Sequence, residues 1–444
     1  MKIINTKFII AGILITNAFV SCKKQVAHTL GTHKADIITN QSDDNASNEL
    51  MSKLAAATTI DSSVFYNGAF TVLKIPAANL QKLGGAIAGV PLVVSNNPEK
   101  INTLGWLFKN PALLGTNSKM PLTGKFNLYL YHHNNTGAPL YIHVIASNPN
   151  STSITLSGKG VIYTSSNYSG NAGKGYGPSY KIAENWLNAT YTHSFVGKNI
   201  PAYLAGSPTP NYTSIATVLL NSAKTIDGRF EFDALSAGNV PANSYIYVIA
   251  SASATVGTAF NLAQTNIQAT GNFLQETPTT FGRECGIYDG SEWKGLTTLN
   301  LPNRKGYVGI SLNTAQKNNI LQNQNAPALG VINNSSSFTY GNYGMGYFVD
   351  LRFVNVKNTA RTLKVYLVHS ATNPAKLGMT WHAPMKIDSN PLLETYTTLN
   401  NNKQLLSTIT LNAATAGPSS KVQKIKFYVP GLISTNMQLV VETN

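Results

Sequence analysis

Residues 125–147 read KFNLYLYHHNNTGAPLYIHVIAS, and residues 348–370 read FVDLRFVNVKNTARTLKVYLVHS. The two superpose without a gap. Asn135-Thr136 falls on Asn358-Thr359, and Leu128, Leu130, Leu140, Ile142 and Val144 fall on Leu351, Phe353, Leu363, Val365 and Leu367. Apolar residues return at every second position on both sides of a polar turn, the period at which a strand brings side chains back to one face. Each segment therefore predicts a hairpin with one buried face. Two more echoes follow in the same order: Thr217-Val218-Leu219-Leu220-Asn221 with Thr408-Ile409-Thr410-Leu411-Asn412, and residues 245–249 with 437–441. Two copies at so long a period exclude a solenoid or propeller, which need several stacked units. The expected fold is all-β: two related antiparallel β-sandwich domains of the immunoglobulin-like (Ig-like) kind, arising from an internal duplication, with one or two short helices. Glu276-Thr277-Pro278 marks the expected boundary, giving a first domain over 58–275 and a second over 276–444. Residues 77–83 and 179–187 are the candidate helices, the second introduced by Gly177-Pro178.

Upstream of these domains, Lys2 and Lys7 precede an apolar run over 8–15, and Phe19-Val20-Ser21 leads into Cys22. That run is too short to span a bilayer as an anchor but suits a cleaved lipoprotein signal peptide over 1–21, with Cys22 as the lipidation site. Residues 22–57 are polar and without periodicity, so they read as a flexible tether. The expected partner is a membrane, reached through lipid on Cys22. Lys23 and Lys24 follow the cysteine where an aspartate would favour the inner membrane, so the expected location is the outer membrane, facing the periplasm.

Charged residues are only 11% of the chain, against about 25% in ordinary domains, and the formal net charge is +15. The lysines are scattered, with local density only at Lys23-Lys24 and around 421–426. With no continuous basic stripe and no reader motif, nucleic acid is not an expected partner. The chain has two cysteines. If Cys22 carries lipid, Cys285 has no partner for a disulfide, reads as a small buried residue, and leaves too few thiolates for a cysteine-built zinc site.

The remaining candidates for chemistry are few. His132 and His133 are adjacent, so on a strand they point to opposite faces. In a hairpin closed at 134–138, His133 and His143 share a face but stand about 13 Å apart along the strands, too far to share one ion. The same hairpin places Tyr129, Tyr131 and Tyr141 on that face, a platform on which sugar rings could stack. The loop Gly170-Asn171-Ala172-Gly173-Lys174-Gly175-Tyr176-Gly177 leads into a helix, whose N–H groups attract anions. It is not a Walker A loop, since Gly175 stands where Ser or Thr must follow the lysine. Lys174, Gly175, Gly177, Ser179 and Lys181 are the candidate contacts to an acidic sugar or sulfate. Glu231 with Asp233, and Asp289 with Glu292, are the carboxylate pairs, the first on one strand face. A serine nucleophile elbow is missing from the sequence. No cofactor, metal or catalytic residue is therefore expected.

Several stretches resemble a family of secreted bacterial proteins known as domain of unknown function 3370. They are Val90-Pro91 with Ser95-Asn96-Asn97-Pro98-Glu99, Gly124-Lys125-Phe126 with His132-His133, and Gly177-Pro178-Ser179. Further on come Gly282-Arg283, Gly286 and Gly290-Ser291 before Trp293, then Gly341-Asn342-Tyr343-Gly344. They run in the family's order over residues 86–444 and depart from it near Cys285 and within 188–212. The resemblance implies an extracytoplasmic β protein and transfers no catalytic residue. The expected function is a non-catalytic, lipid-anchored envelope protein serving surface structure, adhesion or glycan contact, with a glycan or another envelope protein as partner. The alternatives are a hydrolase of an envelope or extracellular polysaccharide, and a subunit of an envelope assembly. A hydrolase requires carboxylates gathered across a cleft, about 5 to 10 Å apart.

Overall fold

Alternation in residues 125–134 becomes a strand, Lys125–Asn134, that sends Phe126, Leu128 and Leu130 into a core. Its expected hairpin partner, Leu140–Ser147, lies in a different sheet. The computed structural model describes residues 64–67, 70–73, 75, 79–165, 178–204, 210–299, 301, 305–313, 321–369, 381–398, 401–429, 431 and 437–443. Cys22, the signal peptide and the tether lie outside the described residues.

The described chain is mostly strand, with two α-helices, α1 (Pro178–Asn188) and α2 (Val256–Gln264). Sheet 1 runs His193–Ile200, Ile154–Ser165, Thr225–Ser236, Lys125–Asn134, Leu92–Ser95, Cys285–Tyr288, Ala328–Val331. Sheet 2 runs Tyr212–Leu220, Leu140–Ser147, Asn243–Ser251, Gly105–Lys109. Their inner faces share one apolar core containing Phe126, Leu128, Phe230, Ile142, Val144 and Val248. Sheet 3 runs Leu393–Thr397, Trp381–Ile387, Ser419–Tyr428, Gly346–Asn355, Glu292–Leu299, Ala86–Ala88. Sheet 4 runs Lys403–Leu411, Arg361–His369, Met437–Thr443, Gly306–Leu312, Leu80–Gln81. A second core, with Trp381, Phe353, Phe427, Leu363 and Val441, lies between sheets 3 and 4. Strands from beyond residue 276, Cys285–Tyr288 and Ala328–Val331, complete sheet 1, while Ala86–Ala88 and Leu80–Gln81 complete sheets 3 and 4.

The two segments expected as hairpins are instead corners that carry the chain from one sheet to another, and an asparagine builds each. Asn134 Nδ2 donates to Ala138 O at 2.8 Å and Leu220 O at 2.9 Å, while its Oδ1 accepts from Thr136 N at 3.0 Å. Asn355 Nδ2 donates to Thr359 O at 2.8 Å and Asn412 O at 2.7 Å, and its Oδ1 accepts from Lys357 N at 3.1 Å. A side-chain amide thus satisfies backbone groups that lose ladder partners where the chain leaves a sheet. Tyr141 and His143, on sheet 2, consequently do not share a face with Tyr129, Tyr131 and His133 on sheet 1.

The helix expected over 179–187 is α1, which buries Ile182, Ala183 and Trp186 against Val161 of sheet 1 and Tyr428 of sheet 3. The helix expected over 77–83 is not formed at Leu80–Gln81, which pairs in parallel with Gly309 and Ile310. Helix α2 was not expected. Its apolar positions, Val256, Ala259, Phe260 and Ala263, recur at helical spacing and pack on Ile145, Tyr247 and Ile249. Cys285 is fully buried in the first core, its thiol facing Leu107 O.

Candidate functional site

Strand Thr225–Ser236 alternates apolar residues that enter the first core (Ile226, Phe230, Phe232, Ala234) with four charged ones on its outer face, Asp227, Arg229, Glu231 and Asp233. Register extends this charged face across the neighbouring strands. Tyr129, Arg229 and Val161 form one row, and Tyr131, Asp227 and Tyr163 another. Toward the opposite end come the row Asn127, Glu231, Lys159, Ser194 and the row Lys125, Asp233, Ser157.

The Tyr129 and Tyr131 end is covered. Both tyrosines are buried, packed with Leu92, Val94, Tyr288 and Met345, so they are not a platform open to ligand. Arg229 is also buried, its guanidinium carbon 4.2 Å from the Trp186 ring centre and 4.5 Å from that of Tyr428. It donates from Nε to Gly344 O at 3.1 Å and from Nη1 to Glu231 Oε1 at 3.2 Å. Asn127, with its amide oxygen turned inward, accepts from Arg229 Nη2 at 3.2 Å and Ser291 Oγ at 3.1 Å. One cation thereby ties sheet 1 to α1, to sheet 3 and to the 341–344 turn. Contact with two aromatic rings and a fixed fork of donors suit arginine and not lysine here.

Two buried carboxyls flank this tie. Asp227 Oδ2 accepts from Ser179 Oγ at 2.6 Å and Tyr129 Oη at 3.3 Å, while Oδ1 has no side-chain hydrogen-bond partner among the described residues. Burial, only partly opposed by those bonds and by the Gly228 backbone N–H, pushes its pKa up to about 7. Glu284 accepts from Gly341 N at 2.6 Å through Oε1, and burial pushes it up to about 8. His132 is placed by Pro98 O, 2.8 Å from Nδ1, and by Ser95 Oγ, 2.9 Å from Nε2. Burial lowers its pKa to about 4, so the neutral ring donates from Nδ1 to the carbonyl and accepts from Ser95 at Nε2. Arg283 Nε meets Glu99 Oε2 at 2.8 Å. Motif residues distant in sequence are thus brought into contact: Ser95 with His132, Glu99 with Arg283, Ser291 with Asn127 and Gly344 with Arg229.

The other end of the charged face stays open as a cleft of about 540 Å³. Lys125, Asn127, Ser157, Lys159, Ser194, Glu231 and Asp233 line its sheet-1 side, with Phe195 and Val196 on one flank and Gly89, Val90, Glu292 and Lys294 opposite. Lys159 Nζ pairs with Glu231 Oε2 at 3.2 Å and lies 4.8 Å from the Tyr191 ring. Lys294 pairs with Glu292, and Asp233 is in register with Lys125.

Of the residues singled out from sequence, Lys174, Gly175 and Gly177 lie outside the described residues. Ser179 is buried on Asp227, and Lys181 pairs with Glu184 at 2.9 Å. Tyr141 is half-buried on sheet 2, its ring 6.3 Å from His143. His133 and His143 hydrogen-bond to Thr225 and Thr217 at 3.0 Å each. Glu231 and Asp233 do share a face and line the cleft. Sequence reading missed Asp227, Arg229, Lys125, Lys159 and Lys294. Charge at every second residue over 227–233 was the available signal. Among the described residues, no group of three His, Cys, Asp or Glu side chains could hold a metal ion.

These features define a mostly β protein whose sheets meet over a buried cation and an ion-paired cleft. The chain resembles the family described as Protein of unknown function (DUF3370), whose model matches residues 254–386. No curated protein matches it. Among solved structures, the CUB1-EGF-CUB2 domain of human MASP-1/3 is 11% identical with a TM-score of 0.14, covering 71% of this chain and 99% of that one. The broad bean stain virus structure is 9% identical with a TM-score of 0.13, covering 88% and 93%. At such TM-scores neither likeness establishes a common fold.

Proposed function

We propose that this protein is a non-catalytic, lipid-anchored component of a cell envelope that holds a preformed binding cleft away from the membrane on the 22–57 tether. The observation that carries the binding role is the cleft floor itself. Its polar groups stand on adjacent strands of one sheet, with Glu231 at the centre already held by Lys159 and Arg229, and such preorganisation favours recognition. The anchor rests on the Phe19-Val20-Ser21-Cys22 sequence.

The body is read as a duplicated Ig-like sandwich. Two features support this reading. Five strands of sheet 1, from His193–Ile200 to Leu92–Ser95, follow the same order as Leu393–Thr397 to Glu292–Leu299 of sheet 3, and each series ends in a strand parallel to its neighbour. Register also breaks at Val144/Ile145 in sheet 2 and at Val365/Tyr366 in sheet 4, each against the outermost strand.

Labelled palmitate should enter the wild type and not Cys22→Ala, which should leave the membrane fraction. A variant that stays membrane-bound, beside an unlabelled wild type, would overturn the anchor. The convergence of Glu231, Asp233 and Glu292 on one cleft favours a second reading, a polysaccharide hydrolase. New reducing ends released from a glycan by wild type but not by Glu292→Gln would replace the first reading with the second.

A further inference from the structure

We propose that the cleft binds a neutral, polyhydroxylated ligand, with a short oligosaccharide as the chemical class that fits. This rests on the binding role proposed for the cleft and adds the ligand's chemistry.

Charge selects against ions. Three cations, Lys125, Lys159 and Lys294, face three carboxylates, Asp233, Glu231 and Glu292, and each cation is paired with or in register with one of them. An anionic ligand would meet a carboxylate beside every lysine, and a cationic one a lysine beside every carboxylate. A neutral polyol meets neither penalty, because its hydroxyls donate to the carboxylates and accept from the ammonium groups.

Geometry supplies a lattice for such exchange. Ser194, Lys159 and Glu231 lie in register on three strands spaced at about 4.8 Å, offering hydroxyl, ammonium and carboxylate in turn. Ser157, Asp233 and Lys125 repeat the alternation about 7 Å further along the strands. Glu231 is the central acceptor, and Arg229 and Lys159 each bind one of its oxygens. Val90, Phe195 and the strongly exposed Val196 provide apolar surface for the C–H faces of sugar rings. The volume of about 540 Å³ falls within the range of about 300–1,000 Å³ typical of small-ligand sites.

The test uses the full chain in detergent on an array of neutral and acidic glycans, with calorimetry on the hits. Asp233→Ala and Lys125→Ala are rim variants outside the Arg229 tie. We expect binding to neutral oligosaccharides, weakened roughly tenfold to a hundredfold in each variant, as loss of a charged hydrogen bond requires, with unchanged melting temperature. Binding of acidic glycans alone, of no glycan, or of neutral glycans equally well by both variants would overturn the proposal. Cleavage of the bound glycan would support the site while overturning the non-catalytic reading. Palmitate labelling, independent of glycan, reports on the anchor separately.

Discussion

Replacing Asp227 by asparagine should change how stability depends on pH, and the sign follows from the site. Burial raises this carboxyl from 3.8 to about 7 in the folded protein. Between those values the native state holds a proton that the unfolded chain has released, so stability is fully present below about pH 4 and is lost as pH rises toward 7. At about 1.4 kcal/mol per pH unit, the wild type should lose about 4 kcal/mol relative to Asp227→Asn over that window, after which the difference stays constant. Asparagine can present its amide oxygen to Ser179 and Tyr129, but its Nδ2 takes the place of Oδ1. That exchange shifts the curve by a constant amount and leaves its slope unaffected. Glu284, also raised by burial, contributes equally in both proteins and cancels in the comparison. Equilibrium denaturation at intervals from pH 4 to pH 8.5 measures the difference directly. A difference that stays flat across the window would refute the assignment of Asp227 as a buried, incompletely satisfied carboxyl.

Two further outcomes test the packing. Gly344 has φ +74, and a Cβ there would lie 2.7 Å from Tyr129, so Gly344→Ala should cost about 2–4 kcal/mol, combining backbone strain with overlap. Gly137 has φ +84 with open space around it, and Gly137→Ala should cost only about 1 kcal/mol; equal losses in the two variants would mean that the Tyr129 contact is not close. Burial pushes the Cys285 thiol up to about 12, so in a Cys22→Ala background a thiol reagent should label it only once denaturant unfolds the protein. Rapid labelling of the native chain would count against the buried position.

The expected hairpins and the expected ligand face were lost for one physical reason. Alternation identifies which side chains share a face, and it did so correctly for Leu128 and Leu130 and for Glu231 and Asp233. It does not say which strand lies alongside. Asn134 and Asn355 turn the chain into another sheet instead of back along its own, and nothing in a period of two marks that choice. The alignment of the two segments illustrates the same blindness. Matched on these corner asparagines and on the two breaks in register, Leu128 corresponds to Val349, two residues from the partner read off the sequence. A slip of two returns every side chain to the same face and so escapes the pattern, even though it sets Leu140 against Arg361, whereas a slip of one would have turned each side chain to the other face.

The candidate site divides along the same line. Charges at 227, 229, 231 and 233 were visible in the sequence, and their common face followed from strand geometry. Their separate fates did not. Trp186 and Tyr428 close over Arg229, and Ser179 seals Asp227, while Glu231 and Asp233 remain beside an open cleft.

The sequence by itself determined the β class, the faces of the strands and the place of α1, because these depend on side-chain period and local turn chemistry. Only the tertiary structure decided which sheets the strands join, which charges are buried and where the cleft lies. Those outcomes depend on contacts between residues far apart in the chain, and no local pattern encodes what a face will meet.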